Sequence, residues 1–277
     1  MSSDPTWVGV DDRLPPLQPG FLGWLRIVAK GILLGFVVFG GLLLHLILRL
    51  IEWPIFGISR PLTPFVTQRV CRISLSIIGV RYQSHGLPMT HEGAVVSNHA
   101  SWLDIFALNA SDRVYFVAKS EVAGWPGIGW LARATGTVFI RRDVRDAADQ
   151  KSLFERRLTS GHKLLFFPEG TSTDGRRVVP FKPTLFAAFF SEALWERMWV
   201  QPVSVVYTAP VGGPETFYGW WGDMDFGGHL VRLLAASRHG RVDVYWHAPL
   251  AVADYENRKV LAKAAEESVR SAFGEKI

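Results

Sequence analysis

Cysteine is nearly absent: Cys71 is the only one in 277 residues. A single thiol forms no internal disulfide and supplies no cysteine-rich metal site, so disulfide-stapled and zinc-ribbon architectures are excluded, and a reducing compartment fits. His85, His91, His162, His229, His239 and His247 show no metal-ligand spacing, which leaves the expectation of no metal. No G-x-S-x-G occurs, which removes the nucleophile elbow of α/β serine hydrolases. Internal repeats and low-complexity tracts are also missing. Lys and Arg number 30 against 25 Asp and Glu, a net charge of +5, but they are scattered, with no basic helix. Nucleic acid is therefore not an expected partner. The surplus suits an anionic membrane surface or acidic substrates.

What is present is apolar. The chain is 48% hydrophobic, with 11 Trp and 18 Phe, enough for one sizeable α/β domain and a short appendage. Residues 1–20 are polar and Pro-rich and read as a flexible tail. From Gly31 to Leu44 every residue is apolar, and only His45 interrupts the run before Arg49. A span of the hydrocarbon needs about 20 residues, so this run is a short or tilted span, or a helix half-sunk in one leaflet. Pro61 to Val80 is amphipathic, with Arg69 and Arg72 at helical spacing. Residues 21–84 thus read as an N-terminal membrane-associated helical hairpin. Arg49, Arg60, Arg69, Arg72 and Arg81 follow the apolar run, which places the next domain on the cytoplasmic face of the inner membrane.

Residues 85–277 alternate between strand and helix patterns. Apolar strands are expected at 94–97, 113–119, 136–142, 163–170, 200–208 and 241–247. Helices are expected at 146–160 and 254–273. The implied architecture is α/β, a mixed and mostly parallel sheet flanked by helices.

Four short segments carry chemistry. NHASWLD, Asn98 to Asp104, follows a strand and opens a helix. His99 then lies at the carboxyl end of the sheet, where α/β folds bind ligands, with Asp104 in the first helical turn. An alcohol is a poor nucleophile at neutral pH. A neutral imidazole can take its proton, and a carboxylate behind the ring fixes the tautomer and stabilises the imidazolium. An isolated pair of this kind more often describes a helix cap and a first-turn acid. FPEGTSTDG, Phe167 to Gly175, is a strand-end turn rich in backbone N–H groups that can face a head group or an oxyanion; there Glu169 could hold a hydroxyl. GTVFIRR ends in Arg141 and Arg142, able to contact phosphate or to sit solvated at a strand end. QPVSVVY opens a strand with Pro202.

In this order and at these separations the four segments resemble the sequence blocks of the glycerolipid acyltransferases, best known as 1-acylglycerol-3-phosphate acyltransferases. The resemblance covers roughly residues 70–250. It implies His99 as base and Asp104 as its partner. It also implies Arg141, Glu169, Gly170 and Thr171 as acceptor-binding residues, and N-terminal helices that dip into one leaflet. The implied co-substrate is acyl-CoA or acyl-ACP (acyl carrier protein), with no cofactor bound.

One residue departs from the pattern. Lysophosphatidate enzymes usually read E-G-T-R in the third block, and here Ser172 follows Thr171. Charged hydrogen bonds are worth about 1.5–3 kcal/mol each, so either Arg176, Arg177 or Lys182 stands in, or the acceptor has no glycerol phosphate. The Ser172 variant and the segment 220–234 resemble the bacterial branch that acylates lyso-ornithine lipid and similar lyso-aminolipids. The expectation is a lysolipid O-acyltransferase of that kind. The alternatives are a lysophosphatidic acid acyltransferase and, more remotely, a non-catalytic membrane lipid-binding protein. Asn98, Lys119, Trp125, Ser172, Arg176 and Lys182 are further head-group or acyl-channel candidates. Trp130 could line the same channel, and Asp223 and Asp225 could meet a cationic head group or simply start a helix.

Overall fold

The structure is a computed structural model and describes residues 7, 9, 17–140 and 147–276. Arg141 and Arg142 fall outside these. Two N-terminal helices come first, α1 (Phe21–Phe56) and α2 (Thr63–Ile78). Strands β1 (Arg81–His85) and β2 (Gly93–Ser97) precede α3 (Leu103–Ser111) and β3 (Tyr115–Lys119). Then come α4 (Ile128–Thr135), β4 (Val138–Ile140), α5 (Ala147–Thr159), β5 (Leu164–Phe166) and a 3-10 segment (Pro183–Phe190). The chain closes with β6 (Trp199–Thr208), α6 (Phe226–Ala235), β7 (Arg241–Trp246), β8 (Leu250–Ala251) and α7 (Arg258–Arg270).

The sheet order is β1-β7-β6-β2-β5-β3-β4, with β8 paired to β6. β2 lies parallel to both β5 and β6, and β3 is parallel to β5 and β4. β7 enters antiparallel to β6, and β1 runs parallel to β7. The expected mixed, mostly parallel sheet with helices on both faces is the observed one.

Successive residues of a strand point to opposite faces, and the core divides accordingly. Val95, Leu165, Val203 and Val244 pack with Leu34, Leu75, Leu108 and Leu233 of α1, α2, α3 and α6. Ala94, Val96, Leu164 and Phe166 pack with Leu158, Phe186, Phe189 and Leu261 on the other face. The sheet takes in residues from Arg81 onward. β1 reads RYQSH and is largely exposed, so no apolar alternation marks it in the sequence.

Helix α1 has 36 residues, about 54 Å at 1.5 Å per residue. It extends past the apolar run at both ends and stops at Gly57, whose φ is +57°. By length and composition it is apolar enough to cross a membrane, and only 6% of its most apolar window is buried. Helix α2 packs between α1 and α3. The Arg72 Nε and Gln68 Nε2 donate to the carbonyls of Ala110 and Ser111 at the end of α3, at 2.7 and 3.1 Å, which satisfies helix-terminal acceptors. The hairpin thereby holds the helix that carries Asp104.

Candidate active site

Residues 98–102 leave the carboxyl end of β2 and turn back into α3. The turn is folded around the side chain of Asp104, which is 0% exposed. Its Oδ2 accepts from the backbone N–H of Ala100 at 2.8 Å and of Ser101 at 3.0 Å, and lies 2.7 Å from His99 Nδ1. Its Oδ1 accepts the Tyr207 hydroxyl at 2.8 Å. Four donors satisfy the buried carboxylate. Because Asp104 accepts at Nδ1, that nitrogen carries the proton and Nε2 is left as the basic one. The side chain of His99 keeps 20% of its surface open. Burial, with the nearby charge of Asp104, pushes the Tyr207 hydroxyl well above its ordinary pKa, which keeps it a donor.

The third block packs on this turn. The Phe167 ring stacks on His99 at 4.0 Å between centroids and an interplanar angle of 13°. Glu169 is 2% exposed. Its Oε2 accepts the N–H of His99 at 3.0 Å and its Oε1 the N–H of Val179 at 3.1 Å. Burial raises its pKa well above the ordinary carboxylate range, against the lowering effect of those two donors. Glu169 therefore joins the first block to the third through the backbone. Thr173 adds a second tie, its N–H donating to the His99 carbonyl at 2.9 Å, and Trp220 N–H donates to the Ala100 carbonyl at 2.8 Å. Gly170 has φ +71°, and a Cβ there would come within 2.8 Å of Lys182 Nζ.

The other expected residues divide. Asn98 is 1% exposed; its amide exchanges hydrogen bonds of 2.9 and 2.8 Å with the backbone of Val205 and pins β2 to β6. Lys119 ends β3 at the surface. Trp125 is 40% exposed and meets Trp220 edge-on at 6.3 Å, which puts it on the rim of the site. Trp130, on α4, is exposed. Thr171 Oγ1 accepts the N–H of Trp7 at 3.2 Å. Ser172 is half-buried beside it. Arg176 pairs with Glu215 at 3.0 Å, and Lys182 packs over Gly170. Arg141 lies outside the described residues. Asp225 caps α6 by accepting from Gly228. His229 accepts from Trp102 Nε1 at 2.8 Å, and burial lowers its pKa to about 4.

Several contributors were not singled out from sequence. Tyr207 closes the fourth block, so its position after an apolar strand was the available signal. Phe167 and Thr173 lie inside the third block. Trp220 opens the segment 220–234, and Trp7 carries no local pattern that marks it.

An imidazole oriented by a buried, fully satisfied carboxylate, and itself partly exposed where a strand leaves an α/β sheet, is an arrangement able to take a proton from a hydroxyl. Residues 80–206 match the family model described as Acyltransferase. The chain is 54% identical to the lyso-ornithine lipid O-acyltransferase of Rhodobacter capsulatus over 98% of both chains. To that of Brucella abortus it is 38% identical over 72% of this chain and 78% of the relative. To the 1-acyl-sn-glycerol-3-phosphate acyltransferase of Neisseria meningitidis it is 33% identical over 65% and 69%. In fold it resembles the crystal structure of the 1-acyl-sn-glycerophosphate acyltransferase of Thermotoga maritima. That match has a TM-score of 0.64 at 20% identity and covers 91% of this chain and 95% of the other. The chain belongs to the acyltransferase family.

Proposed function

We propose that the chain acylates the free hydroxyl of a lyso-ornithine lipid, with acyl-ACP or acyl-CoA as donor. His99 Nε2 takes the hydroxyl proton and the oxygen attacks the thioester carbonyl. The tetrahedral intermediate then collapses, the carbon–sulfur bond breaks, and the thiolate leaves with the proton returned by His99. Asp104, 2.7 Å behind the ring, stabilises the imidazolium between the two transfers. No acyl-enzyme forms, because the acceptor oxygen is itself the nucleophile.

The His99–Asp104 geometry carries the chemistry, and the near-full-length similarity to the Rhodobacter enzyme carries the acceptor. The Neisseria relatives support a lysophosphatidic acid acceptor less well, at lower identity and coverage. The exposed apolar face of α1, including Ile32 and Phe36, supports residence in the bilayer. The arginines that follow the apolar run support a cytoplasmic face.

The test is an acylation assay with purified protein in detergent. Lyso-ornithine lipid and lysophosphatidic acid are each offered with acyl-CoA and with acyl-ACP, and His99→Ala runs alongside. Product from the amino lipid, lost by more than about 10³-fold in the variant, is expected. Turnover on lysophosphatidic acid alone would overturn the acceptor, and undiminished turnover by His99→Ala would overturn the mechanism.

A further inference from the structure

The third-block turn presents two guanidinium groups just after Ser172, and both are balanced by acids. Arg176 pairs with Glu215 at 3.0 Å. Arg177 donates to Asp174 through Nε at 3.3 Å and Nη2 at 3.0 Å. The Asp174 side chain is only 5% exposed, whereas that of Arg177 is 40% exposed. The acid is thus an anchor and the guanidinium is presented outward. The two bonds to Asp174 use two of the five N–H donors of a guanidinium.

Arg177 is tied to the catalytic base through one residue. Thr173 Oγ1 lies 3.3 Å from both the His99 carbonyl and the Arg177 carbonyl. On its outer side Arg177 sits over the indole of Trp7, 5.4 Å from the ring centroid. That indole meets Trp221 edge-on at 6.0 Å, and the Trp7 N–H bonds to Thr171. A residue from the start of the chain therefore closes the outer wall of the turn.

We propose that Arg177, walled by Trp7, receives the carboxylate of the acceptor head group and takes the place of the cation missing at position 172. This rests on the acceptor being an N-acyl ornithine. Such a head group carries one carboxylate and one ammonium. A planar carboxylate matches the forked edge of a guanidinium. Asp174 and Glu215 balance the two guanidinium charges, and Lys182 over Gly170 adds one positive charge to the turn, which suits a single carboxylate better than a phosphate dianion. An indole on one face of the guanidinium restricts its rotamers, so less ordering is required on binding.

Steady-state kinetics on lyso-ornithine lipid tests it with Arg177→Gln, Trp7→Ala and Trp7→Phe, each checked for its melting temperature. Arg177→Gln is expected to raise KM tenfold or more while kcat falls less than threefold. Trp7→Ala leaves the ion pair with Asp174 in place and is expected to raise KM three- to tenfold, with Trp7→Phe recovering most of the loss. Unchanged KM in both Arg177→Gln and Trp7→Ala, or a fall in kcat at constant KM, would overturn the assignment. A wild-type protein without turnover on lyso-ornithine lipid would remove the acceptor reading, and the carboxylate subsite with it.

Discussion

Tyr207 donates its hydroxyl to Asp104 Oδ1 at 2.8 Å, from the far end of β6. The bond occupies the one carboxylate oxygen that neither His99 nor the turn uses, so the carboxylate behind His99 is held by a residue 103 positions away from it in sequence. Tyr207→Phe strands that oxygen in a site with no solvent, at a cost of about 1–3 kcal/mol. We expect kcat to fall about tenfold and the melting temperature to drop by a few degrees. A variant with wild-type kcat would show that Asp104 holds His99 unaided.

Glu169 is expected to act through the backbone. Glu169→Ala releases the N–H groups of His99 and Val179 together and should lower kcat by about 10²-fold or more, because the ring loses its fixed position. Glu169→Gln keeps one acceptor oxygen but turns an N–H₂ toward the other donor, so it should fall between the two. If Glu169→Ala raised KM at unchanged kcat, the residue would be contacting the acceptor instead.

Gly170→Ala should destabilise the third-block turn. An L-residue at φ +71° is strained, at roughly 1–2 kcal/mol, and its methyl would have to displace the Lys182 side chain. Thermal unfolding should show a lowered midpoint; an unshifted midpoint would mean the turn relaxes into another conformation.

Stability should decline on mild acidification. Burial holds His162, His229 and His239 near a pKa of about 4, against an ordinary 6.5. Between those values the unfolded chain binds protons that the folded chain refuses, so stability is full above about 6.5 and is lost as pH falls toward 4. Each group contributes at most about 1.4 kcal/mol per pH unit. His229→Gln keeps an acceptor for Trp102 and should flatten the dependence by one group's share. Equal slopes in variant and wild type would show that His229 is protonated without penalty.

Ile32→Glu and Phe36→Glu place charges on the outward face of α1, where both parent residues are well exposed. A charge at the bilayer centre costs about 2.5–3.5 kcal/mol on insertion scales. The double variant should leave the carbonate-resistant membrane pellet. Its retention there would assign membrane binding to another surface.

The His99–Asp104 contact was legible because it is local: only four residues lie between the two, and a strand-to-helix turn brings them together. The inner parallel strands were legible because strands buried on both faces read as apolar runs. β1 was not, because its polar, exposed residues carry no alternation and its pairing with β7 spans most of the chain. The acceptor-binding role expected for Glu169 came from the motif. The structure gives both of its oxygens backbone partners, a contact between residues 70 and 10 positions apart that no spacing announces. Asn98 is similar, since its partner Val205 is 107 positions away.

Helix α1 is fastened to the sheet domain and is no tether. Leu34 lies in the same core as Leu75 and Val203. Arg26 donates to the Ala235 carbonyl at 3.0 Å and Lys30 to the Ile78 carbonyl at 2.7 Å. With α1 seated in lipid as proposed, His99 would ride at a set height and tilt above the hydrocarbon boundary. An acceptor diffusing in the leaflet would then meet His99 at one depth along its chain. Bilayer thickness would then act as a ruler for which hydroxyl is presented, and the proposed anchor would share in setting the regiochemistry.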